Sequence, residues 1–185
     1  MTKIVLVFGL ISGFILSALV TVIMVLCLNG KVDLANGEVL GYTTMVLGFI
    51  MVFFGIRSYR DNVSRGTITF LKALQVGLLI SLITCVFYVV SWEIVYYNFI
   101  PDFADRYAAR MIEEAQAHGA TAQAMAAKQQ EMAEFKRYYA NPVINVAMTF
   151  MEIFPVGLLM TVVSALILRK KQRGPTTGAV SEALS

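Results

Sequence analysis

The chain has 185 residues, 58% of them hydrophobic and 15% charged, with a formal net charge of +3 and a mean hydropathy of +0.71. Soluble domains carry about a quarter charged residues, so an ordinary soluble fold is excluded. The small positive balance divides among short blocks and is no footprint for nucleic acid.

Between those blocks lie apolar stretches of about 18 residues or more, the pattern of membrane-spanning helices. At about 1.5 Å rise per residue, even 18 residues cover roughly 27 Å, enough for a slightly thin hydrocarbon core. The first predicted span, about residues 4–28, carries no charge. It is longer than a signal-peptide core, and the following CLNGKVD offers no small-x-small cleavage site, so a retained helix is expected. Gly9, Gly13, Ser17 and Thr21 recur at every fourth position along it. Such small-residue stripes let helix backbones approach closely. The second span, about 39–56, is also uncharged and has a similar stripe of Gly41, Thr44, Gly48 and Gly55. Both stripes are expected to pack helices within the chain. Arg57, Arg60, Arg65 and Lys72 follow as a basic loop. They are read as topology determinants, with contacts to anionic lipid as the functional alternative.

The third span, about 73–100, is interrupted only by Glu93. Residues 101–142, PDFADRYAARMIEEAQAHGATAQAMAAKQQEMAEFKRYYANP, are rich in strong helix formers. Phe103, Tyr107 and Met111 share one helical face, as do Met125, Met132, Phe135 and Tyr139. His118-Gly119 interrupts the pattern and Thr121 can cap a new helix. A helical hairpin outside the membrane is predicted, with arms of about 16 to 19 residues, or about 24 to 28 Å. Its apolar stripes are expected to bury against each other, docking of another protein being the alternative. Pro101 breaks the helix at Ile100, and Asn141-Pro142 starts the next one as cap and first helical residue.

The fourth span, about 143–168, is interrupted only by Glu152. Ten residues in from the outer end, Glu152 lies about 15 Å deep, while Glu93, eight residues before Pro101, lies about 12 Å deep. The two acids are expected to meet at one level. They could fasten helices as protonated or hydrogen-bonded groups, share a proton, hold a cation, or reach the interface by snorkelling. Pro155 has no N–H, which leaves the Met151 carbonyl beside Glu152 as an open acceptor. Tyr88, Ser91, Tyr96 and Tyr97 place hydroxyls near Glu93, and Trp92 and the tyrosines suit the outer interface belt. Residues 172–185 are expected to form a flexible tail.

Nine basic residues fall on the side of the two termini and six on the other, where those in the long third loop are diluted among acids. The positive-inside rule then places both termini in the cytoplasm. His118 is the sole histidine and sits in the predicted turn, and no metal constellation or cofactor motif is present. Cys27 and Cys85 are predicted more than about 10 Å apart in depth, whereas a disulfide needs Cα atoms within about 7 Å. With no nucleophile–base set and no phosphate-cradling loop, an enzyme is not expected.

Several stretches carry a resemblance to a known family: GYTTMVLGFIMVFFGIRSYRDN at 41–62, GTITFLKALQVGLLISLI at 66–83, EIFPVGLLMTVVSALILRKK at 152–171, with PDFADRY and YYANP between. The chain resembles the bacterial membrane family known only as domain of unknown function 4199, with Tyr59, Arg60, Phe70, Glu152 and Pro155 among the matching positions. The resemblance implies a small multi-pass protein of the bacterial cytoplasmic membrane and implies no activity. The expected architecture is an all-α membrane protein: four transmembrane helices and an extramembrane hairpin between spans three and four. The expected role is non-enzymatic, through self-association or contact with other envelope components. The alternative is a proton- or cation-coupled transporter or channel using Glu93 and Glu152. Lipid is an expected partner and nucleic acid is not.

Overall fold

The order of apolar stretches in the sequence becomes an order of helices. In the computed structural model, residues 1–28 and 34–170 are described, with side chains described for all of these but 27–28 and 34–38. The tail expected at 172–185 and the basic residues Lys31, Lys171 and Arg173 lie outside the described residues, as does the side chain of Cys27. Six helices follow: α1 Thr2–Leu28, α2 Leu34–Asn62, α3 Phe70–Phe99, α4 Phe103–Ala117, α5 Ala122–Tyr139 and α6 Pro142–Leu168. Helices α1, α2, α3 and α6 are each long and apolar enough to cross a membrane.

Two boundaries differ from the sequence reading. Helix α2 runs past residue 56, so Arg57 and Arg60 lie on its last turns and not in a loop. The Arg57–Asp61 pair, one turn apart, supports that extension. The helix then ends in a tight turn in which Gly66 N donates to Arg60 O, with Arg65 and Gly66 at φ of 52° and 80°. Helix α3 starts early because Thr69 caps it, its hydroxyl accepting from Lys72 N at 3.3 Å.

Helix α1 packs on α2 and α3, and α6 packs on the same two helices from the other side, with α2 and α3 also touching. Between apolar helices in lipid, close packing and hydrogen bonds hold the assembly, because hydrocarbon competes equally for apolar surface. The small residues supply both. A Cβ on Gly13 would lie 2.8 Å from Phe87 of α3, and one on Gly157 would lie 2.7 Å from Phe49 of α2. The bared glycine carbonyls then accept hydroxyls. Ser12 donates to Gly48 O at 2.8 Å, Thr84 to Gly9 O at 3.3 Å, and Ser81 to Gly157 O at 3.2 Å, with Thr161 2.9 Å from Ser81. The stripes of α1 and α2 are thus used inside the chain. Phe49, Leu16, Ile56, Ile80 and Ile153 fill the core between them, while Phe14, Leu71, Val143 and Ile167 face outward, as acyl-chain contact requires.

The hairpin forms where expected in sequence. Gly119, at φ 73°, makes the turn, and Thr121 caps α5 through Ala124 N. Asn141 Oδ1 accepts from Val143 N and Ile144 N at 3.0 and 3.3 Å, with Pro142 opening α6. Lys136 pairs with Asp105 at 2.6 Å across the two arms.

Candidate functional site

The hairpin's apolar face does more than close on itself. Phe103 and Tyr107 of α4 and Phe135 and Tyr139 of α5 form a closed circuit of rings, with neighbouring centroids 5.1 to 5.8 Å apart. Trp92 of α3 meets Phe103 edge-on at 5.1 Å, and Tyr96 meets Tyr139 edge-on at 5.3 Å. Edge-to-face contacts at these distances favour the ring quadrupoles. Trp92 Nε1 also donates to the Tyr139 hydroxyl at 2.6 Å. A polar chain continues down α6: Asn145 Nδ2 donates to Tyr139 O at 3.4 Å, and Thr149 donates to Asn145 Oδ1 at 3.3 Å. Burial pushes the Tyr139 phenol above its ordinary value, and the Trp92 hydrogen bond only partly opposes that.

Beneath this aromatic roof is a cavity of about 630 Å³, to which all six helices contribute. Val20 and Met24 of α1, Gly41 and Met45 of α2, and Tyr88 and Trp92 of α3 line it. The hairpin adds Phe103, Tyr107, Arg110, Phe135 and Tyr139, and α6 adds Met148, Thr149, Met151 and Glu152. The walls are aromatic and aliphatic, with two charges among them. Neither Arg110 nor Glu152 forms an ion pair among the described residues. Arg110 sits at the hairpin end. Glu152 is exposed to the cavity, ten residues inside α6, about 15 Å from its outer end.

Of the two acids expected to meet, one takes part in the cavity. Glu152 lines the cavity and Glu93 does not. Glu93 is half-buried, and its Oε1 has no hydrogen-bond partner among the described residues. The physical reason lies in helix azimuth. Tyr88 and Trp92, four residues apart, are the α3 positions that line the cavity, and Glu93 is turned about 100° from Trp92 around the same helix. Trp92, the neighbour of Glu93, lines the same cavity as Glu152. Met151 lines the cavity beside Glu152, and Pro155 is exposed within a helix that continues on both sides of it. Of the hydroxyls expected near Glu93, that of Tyr88 belongs to a cavity-lining residue and Tyr96 packs against Tyr139.

Arg57, Arg60, Arg65 and Lys72 gather at the other end of the bundle. Arg57 and Arg60 share Asp61, at 3.6 and 2.7 Å. Lys72 donates to Gln75 at 2.9 Å and lies 6.0 Å from the Tyr59 ring. The sequence reading missed Arg110, the Trp92–Tyr139 bond and Asn145. Arg110 was legible: it follows Phe103 and Tyr107 at i+7 and i+3, on the same apolar face. Asn145 is uncharged and so did not interrupt its span. A family model described as protein of unknown function (DUF4199) matches residues 7–170. No curated protein and no solved structure matches the chain.

Proposed function

We propose that the chain, which belongs to the DUF4199 family of proteins of unknown function, is a small non-enzymatic protein of the bacterial cytoplasmic membrane that binds a small ligand beneath its hairpin. The supporting observation is the cavity. Its volume of about 630 Å³ falls within the 300–1,000 Å³ or so of ligand pockets, and its apolar walls carry few polar groups, as such pockets do. In this reading both termini and the α2–α3 loop face the cytoplasm and the hairpin lies outside. The charge asymmetry of the sequence supports that orientation.

Trp92 is the sole tryptophan of the chain and lines the cavity, so its emission reports entry. In lipid nanodiscs, acrylamide should quench Trp92, and Gly41→Leu, which fills open space on the wall, should reduce the quenching. A Trp92 emission indifferent to acrylamide would sink the reading.

A second reading is association with another copy or another envelope protein through the hairpin. It is supported by the far end of the hairpin, where the stretch from Ala117 to Gln130 is largely exposed. Cross-linking in native membranes tests it: monomer as the sole recovered species counts against it. A proton- or cation-coupled carrier has less support, because only Glu152 of the two carboxylates lines the cavity.

A further inference from the structure

We propose that the cavity selects a monovalent organic ammonium, seated with its cation on Glu152 against the rings of Tyr88 and Trp92. This rests on reading the cavity as a ligand site. Glu152 is the sole acidic residue among those lining it, and it has no ion-pair partner among the described residues. An ionised carboxylate at this depth is uncompensated, and water alone solvates it poorly between apolar walls. A ligand cation offsets that deficit.

The walls favour an organic cation over a metal ion. Hard cations take about six or more oxygen ligands, and here one carboxylate stands among rings and thioethers. A large, weakly hydrated ammonium gains instead from the aromatic faces, as quaternary ammonium groups do in aromatic cages. Tyr88 is nearly fully buried, lines the cavity, and makes no hydrogen bond among the described residues. Its hydroxyl is therefore open to the ligand, beside the part of its ring that lines the cavity. Arg110 sets the valence. It lies at the hairpin end of the same cavity, so a second cationic centre would be repelled by it, whereas an uncharged or anionic tail would not. The opposite assignment, an anion on Arg110, is weaker on the same physics. Arg110 sits on the hairpin, within reach of water, while Glu152 lies deep, and the poorly solvated charge gains more from a partner.

The probe is benzyltrimethylammonium, titrated against Trp92 emission in nanodiscs. Its neutral comparator is N,N-dimethylbenzamide and its anionic comparator is benzenesulfonate. The expected result is saturable binding of the ammonium, with both comparators weaker by about tenfold or more, the span open to a desolvated cation on aromatic walls. Glu152→Gln should weaken the ammonium by a similar factor, Glu152→Asp should largely restore it, and Arg110→Gln should leave it equal or tighter. Comparators that bind as well as the ammonium, or affinity unchanged by Glu152→Gln, overturn the inference and leave the ligand-site reading standing. No saturation by any of the three, with acrylamide still quenching Trp92, overturns the ammonium assignment alone. No saturation together with an unquenched Trp92 overturns both. Glu152→Asp guards against a folding artefact, since it keeps the charge while changing the length of the side chain.

Discussion

The backbones of Ile68 and Lys170 exchange two hydrogen bonds, Ile68 N donating to Lys170 O at 3.1 Å and Lys170 N donating to Ile68 O at 2.9 Å. A two-residue antiparallel bridge thereby ties the α2–α3 loop to the end of α6. It brings Arg57, Arg60, Arg65 and Lys72 to the same end of the bundle as Arg169 and Lys170. Two basic blocks roughly a hundred residues apart in sequence thus become one cationic face, the kind that anionic headgroups attract by about 1 kcal/mol per residue.

That shared face fixes a topological test. In a background of Cys27→Ser and Cys85→Ala, Ala120→Cys in the hairpin turn should react with an impermeant maleimide added to intact cells. Ser64→Cys, near the bridge, should react only after permeabilisation. Both cysteines labelling from one side would exclude the proposed arrangement of hairpin and loop.

Acidic lipid bound to this face should depend on Asp61. Arg57 and Arg60 both engage its carboxylate, which competes with headgroups for them. Asp61→Asn should therefore raise the acidic lipid that co-purifies, and the double change Arg57→Ala with Arg60→Ala should lower it. Mass spectrometry of the extracted lipid reads both, and equal lipid in all three proteins would remove the lipid role.

The Trp92–Tyr139 bond joins a span to the hairpin. Tyr139→Phe keeps the ring and removes the acceptor, leaving a buried indole N–H unpaired, at a cost of about 1–3 kcal/mol. Thermal unfolding in detergent should show a clear fall in midpoint, and a midpoint within error of the parent would mean that the bond contributes nothing.

The same phenol gives a pH signature. Burial holds the folded-state pKa of Tyr139 above its ordinary value near 10. The unfolded chain ionises first as pH rises, so it binds fewer protons there than the folded chain does. Stability from this group is constant below about pH 10 and declines above it as pH approaches the raised folded value. The decline should vanish in Tyr139→Phe. Denaturation midpoints between pH 8 and 11 compare the two proteins, and parallel profiles would contradict the assignment.

Glycine positions separate packing from composition. Gly157→Ala forces a methyl toward the fully buried Phe49 ring at 2.7 Å, and Gly13→Ala does the same toward Phe87 at 2.8 Å. Overpacking of this kind costs about 1–3 kcal/mol. Gly41→Ala meets nothing within 4 Å and should leave the midpoint unchanged. Equal midpoints for all three variants would mean that the helices yield where they now touch.

The sequence alone determined the number of spans, the hairpin and its punctuation, because these follow from local rules. Apolar run length sets what crosses a bilayer, and Pro101, Gly119, Thr121 and Asn141 act on the backbone within a turn of themselves. It also set Glu152 ten residues inside α6, about 15 Å along its axis, since rise along a helix is fixed per residue. What it could not determine was azimuth. Which side of α6 meets α3 depends on where Gly157 and Thr161 find Ser81, a contact between residues nearly eighty positions apart. That packing set Glu152 in one cavity wall with Arg110, Tyr88 and Trp92 and left Glu93 out of it, and only the tertiary structure decided it, because rotation of a helix about its axis leaves its hydropathy unchanged.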